Sequence, residues 1–73
     1  MQVSLNKEKI KLILARKNKT QSWLANNIGT TKQYLWQMLN GKRHPSADMR
    51  NRILFALRRA KWDEIFIIKE NQS

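Results

Sequence analysis

The chain has 73 residues, with fifteen Lys or Arg against five Asp or Glu for a formal charge of +10, and no cysteine. That length holds one small domain with a marginal core, and the absence of thiols excludes disulfides and thiolate metal sites. A basic excess of this size favours a polyanionic partner, and cations spread through periodic segments decorate a folded surface rather than a tail.

Two glycines and one proline are too few breakers for a β-rich fold, so the periodicities predict an all-α bundle of about five helices in a single domain spanning 1–73. Ser4 or Asn6 caps a first helix, which begins near Leu5–Lys7 and runs to Lys17. Ile10, Ile13, Leu14 and the Lys17 stem share its inner face, and Asn18 suits the left-handed position past its end. Thr20 caps a second helix, Gln21 to Ile28, with Leu24, Ala25 and Ile28 inward and Gly29 supplying a positive φ. Thr30 or Thr31 caps a third, which runs to Leu39 with Leu35 and Met38 inward and ends at Asn40–Gly41.

Lys42-Arg43-His44-Pro45 forms a basic loop, in which Pro45 prevents any continuation of the helix. Ser46 caps a fourth helix with Asp48 in its first turn. Its stripe is Met49, Ile53, Ala56 and Leu57, widened by Leu54 or Phe55. A fifth segment, Trp62 to Ile68, contains the run Ile65-Phe66-Ile67-Ile68, which suits a helical turn or a strand. Residues 69–73 are expected to fray. Leu14, Leu24, Ala25, Ile28, Leu35, Met38, Ile53 and Leu57 should form one core.

The stretch Thr20–Gly41 carries the functional signal. Two helices crossing steeply within about 20 residues need a small side chain at the crossing, here Ala25, and a turn residue free to take positive φ, here Gly29. Burying Leu24, Ile28, Leu35 and Met38 then leaves the N-terminal half of the second helix of this pair exposed, as groove reading requires. The residues Thr20-Gln21, Leu24-Ala25, Ile28-Gly29, Thr30-Thr31, Leu35, Asn40-Gly41-Lys42-Arg43 and Pro45-Ser46 resemble the phage repressor and Cro-like helix-turn-helix family. The resemblance spans residues 8–66, continuing through Ala56-Leu57 and Trp62 to Phe66.

It implies a lambda-repressor-like bundle that binds double-stranded DNA and regulates transcription, in a bacterium or a phage-infected cell. It would place Gln21 at a phosphate and Lys32, Gln33 and Gln37 at base edges, with Asn40, Lys42 and Arg43 on the backbone. Thr31 and Trp36 complete the set expected at DNA. The chain departs from the family pattern at Trp23, Trp36 and Leu39, where polar residues are usual, and at Arg58-Arg59-Ala60, where a glycine is.

Those three large apolar side chains suggest an alternative, an antirepressor gripping a partner repressor protein. Ile65, Phe66 and Ile68 extend that partner-binding set, since four consecutive apolar residues exceed one buried helix face and favour a homodimer. An enzyme is not expected: the acids Glu8, Asp48, Asp63, Glu64 and Glu70 form no pair, and no nucleophile–base pair or phosphate loop is present. No metal, cofactor or small-molecule substrate is implied. The chain has no apolar run near the roughly 20 residues of a membrane span, and its first residues lack a signal peptide's apolar core. The expected location is the cytoplasm.

Overall fold

The computed structural model describes residues 2–69. Among them are five helices, α1 (Lys7–Arg16), α2 (Gln21–Asn27), α3 (Lys32–Leu39), α4 (Ala47–Ala56) and α5 (Trp62–Ile65), and two strands, β1 (Gln2–Leu5) and β2 (Phe66–Lys69).

Local chemistry fixes the helix boundaries. The side-chain oxygens of Asn6, Thr20, Thr31 and Ser46 accept from the backbone N–H of Lys9, Trp23, Tyr34 and Met49 at 3.0–3.2 Å. Each of these bonds satisfies a donor that the first turn leaves without a partner. The first three helices end alike. Asn18 (φ 56), Gly29 (φ 75) and Gly41 (φ 74) take the left-handed conformation. The next residue's N–H then reaches back to a carbonyl of the last turn: Lys19 to Leu14, Thr30 to Ala25 and Lys42 to Gln37, at 2.8–2.9 Å.

The purely helical expectation is overturned. β1 and β2 pair antiparallel, with Gln2 opposite Lys69, Val3 opposite Ile68, Ser4 opposite Ile67 and Leu5 opposite Phe66. Each strand has only four residues, too few to show alternation, and the partners lie at opposite ends of the described chain. Leu5 is therefore a strand residue rather than the start of α1. Lys69, expected to fray, is paired with Gln2, whereas 70–73 lie outside the described residues.

The run Ile65–Ile68 divides. Ile65 closes α5 and Phe66 opens β2, both buried, with Phe66 4.9 Å from the Trp62 ring; Ile67 and Ile68 remain exposed. The ribbon is tied to α1 by the Asn6 N–H, which donates to the Ile65 carbonyl at 2.7 Å.

One cluster of side chains forms the core and contains all eight residues expected there, joined by Leu5, Ile10, Ile13, Leu39, Ala56, Ile65 and Phe66. α1 packs on α5, and α2 packs on both α3 and α4. Leu54, half-buried, is the residue that widens the α4 stripe, whereas Phe55 is 73% exposed. Leu39, Ile65 and Phe66, expected on a partner-binding surface, are core residues instead. Leu39 follows Leu35 at the i, i+4 spacing of one helix face, so the geometry that buries one buries the other. Of the expected partner surface of Trp23, Trp36 and Leu39, Leu39 is thus removed, while Trp36 is exposed and Trp23 half-buried. No helix among the described residues is long and apolar enough to cross a membrane.

Candidate nucleic-acid interface

The core sets the rotation of α3. With Leu35, Met38 and Leu39 buried, Lys32, Gln33 and Trp36 face solvent, and Gln37 and Asn40 are half-buried. These five positions follow the i, i+1, i+4, i+5, i+8 spacing of one helix face. Trp36 is 50% exposed at the centre of it. The first turn of α3 carries no acid, so Lys32 and the positive end of the helix dipole meet no compensating charge from within that turn. Thr31 has its oxygen committed as the helix cap, and its hydroxyl proton remains free to donate. Gln21 is half-buried in the first turn of α2, on the other arm of the turn that Gly29 makes.

Beyond α3 the basic loop is held by backbone geometry. The N–H groups of Lys42 and Arg43 both reach the Gln37 carbonyl, at 2.8 and 3.3 Å. The Arg43 guanidinium lies 5.9 Å over the Tyr34 ring, a cation–π arrangement that restrains it beside the helix. His44 stands 3.4 Å from the Ser4 hydroxyl, linking the loop to β1.

Asn40 departs from its expected role as a free backbone contact. Its Nδ2 donates to the Trp36 carbonyl at 2.8 Å, and its Oδ1 accepts from Lys7 Nζ at 2.9 Å. The amide closes the end of α3 and orients a lysine from α1. Lys7 thereby joins the candidate interface, although it lies far from it in sequence. The available signal was electrostatic: a lysine in a helix's first turn opposes the dipole and needs another reason to be there.

Two arginines of α4 are also drawn in. Arg50 Nη1 donates to the Pro45 carbonyl at 3.1 Å. Arg52 Nη1 donates to the Ile28 carbonyl at 3.3 Å, while its Nε meets Asp48 at 3.1 Å. Arg52 thus ties α4 to the turn between α2 and α3. Trp23, on α2, is partly packed on the core with Lys19 Nζ 5.3 Å over its ring. Among the described residues no three His, Cys, Asp or Glu side chains gather to hold a metal ion. Compared with protein-family models, with curated proteins and with solved structures, the chain matches none.

Proposed function

We propose that this chain is a sequence-specific duplex-DNA-binding regulator of transcription of the repressor and Cro-like kind, laying α3 in the major groove. The observation that carries the reading is the two-sidedness of α3. Its inner residues are locked in the core while Lys32, Gln33 and Trp36 project together, beside a restrained loop bearing Lys42 and Arg43. Gln33 and Gln37 have the paired donor and acceptor that match adenine, and Lys32 can donate to guanine. Trp36 offers an apolar face to a thymine methyl or a sugar. Gln21, Thr31, Lys42, Arg43 and Lys7 supply donors for phosphates, which fix register without reading sequence. A homodimer on a palindrome would set two such helices about one DNA turn apart, and exposed Ile67 and Ile68 on β2 are candidates for its contact.

The test is selection of bound duplexes from a random pool at moderate salt. Enrichment of one short, two-fold-symmetric sequence is expected, and Gln33→Ala should lose roughly 1–3 kcal/mol of discrimination at one base position. A pool that returns unenriched would refute the proposal.

A further inference from the structure

A second charged surface lies where the end of α1, the first turns of α2 and the end of α4 converge. It consists of two adjoining hollows of about 470 and 270 Å³, which share Lys17 and Arg59 as a common wall. None of the residues assigned above to DNA lines either hollow. Ile13, Ala56 and Ala60 supply apolar surface, and Trp23 forms one side. Around these stand five cations: Arg16, Lys17, Lys19, Arg58 and Arg59.

Part of that charge has an internal explanation. Two helices end here, and each C-terminus presents roughly half a negative charge. Glu64 adds one more, though its Oε1 already accepts from the Lys61 N–H at 3.0 Å. Five positive charges against about two negative leave an excess of roughly three. None of the five cations has a carboxylate within salt-bridge distance among the described residues, where the only ion pair is Arg52–Asp48.

We infer that this groove binds an acidic segment of a partner protein, one with an apolar side chain set between its carboxylates. The charge selects an anion, and the apolar surface selects its kind. The larger hollow, with Ala60 and the edge of Ile13 in its wall, leaves room for an aliphatic side chain, and the smaller has Trp23 and the edge of Ala56, whereas a phosphate backbone would desolvate these walls without filling them. One face of the Trp23 indole, where an unpaired base would stack, already carries Lys19. A second copy of the chain would bring its own +10 rather than the missing negative charge.

The experiment is fluorescence anisotropy with three labelled probes of equal charge: a peptide alternating glutamate with leucine, an all-glutamate peptide and a single-stranded oligonucleotide. The alternating peptide should bind roughly tenfold more tightly than either of the others. Lys17→Ala/Arg59→Ala should weaken it by a similar factor, and Arg58→Ala/Arg59→Ala, at exposed positions, supplies a second variant should the first lose its fold. Lys32→Ala/Gln33→Ala should leave the peptide's affinity unchanged, which separates this site from the DNA reading and makes the two failures distinguishable. Equal binding of the two peptides, preference for the oligonucleotide, no binding of the alternating peptide, or affinity indifferent to both groove variants would each overturn the inference.

Discussion

Gly29 and Gly41 hold the same left-handed backbone, φ 75 and φ 74, in different surroundings, and that contrast makes a controlled prediction. Among the described residues a Cβ at position 41 meets nothing within 4 Å, whereas one at position 29 stands 3.1 Å from Arg52 Nη1. Gly41→Ala should therefore cost only the conformational strain, about 1–2 kcal/mol. Some of this is offset because alanine also stiffens the unfolded chain. Gly29→Ala carries the same strain and offset and must also displace a guanidinium that donates to the Ile28 carbonyl and pairs with Asp48.

The guanidinium must give by a few tenths of an ångström, which costs at most the whole hydrogen bond, about 0.5–1.5 kcal/mol; the exposed ion pair adds little. Against a total stability of roughly 4–11 kcal/mol for a chain this long, the difference is measurable. Urea unfolding followed by far-UV circular dichroism should place the midpoint of Gly29→Ala below that of Gly41→Ala, with equal slopes. In an Arg52→Ala background the two glycine variants should cost the same. Equal costs with Arg52 present, or an undiminished gap without it, would show that Arg52 does not brace the turn.

Lys7→Met removes the donor to Asn40 and should lower affinity for every DNA sequence alike, with a stability change of about 1 kcal/mol, as mobility-shift and urea titrations would report. A change confined to one base position would contradict its assignment to the backbone. Phe66→Ala empties a core position shared by β2 and the Trp62 contact, so it should cost about 3–5 kcal/mol and change tryptophan fluorescence. A shift in the thermal midpoint of only a degree or two would mean that the ribbon contributes little to the fold.

What the sequence made legible was local. Asn6, Thr20, Thr31 and Ser46 each cap a helix through a bond to an N–H three residues on, so their role needs no knowledge of the rest of the chain. Gly29 and Gly41 were equally readable, because few other residues tolerate the φ they adopt. The ribbon was not, since nothing in Gln2–Leu5 indicates that its partner is Phe66–Lys69. Leu39 shows a different failure: family likeness placed it outside, while its spacing from Leu35 already argued for the core. At the candidate interface, α3's outward residues followed from periodicity. The Lys7–Asn40 bond did not, because it joins residues of two helices brought together only by packing.

The ribbon also constrains the order in which the molecule assembles. Setting Leu5 against Phe66 closes a loop of about 60 residues, some four doublings beyond a four-residue turn, at an entropic cost of roughly 2 kcal/mol more. The capped turns need no such closure, whereas the packing of α1 on α5 does, so β1 and β2 should join together with that contact, after the turns, and part first. Their parting would also free the Asn6 N–H from the Ile65 carbonyl and loosen the start of α1, where Lys7 reaches Asn40. A chain with α2 and α3 already formed would then still hold this lysine in the wrong place, and its amide-exchange record should show β1, β2 and the first turn of α1 opening as one unit.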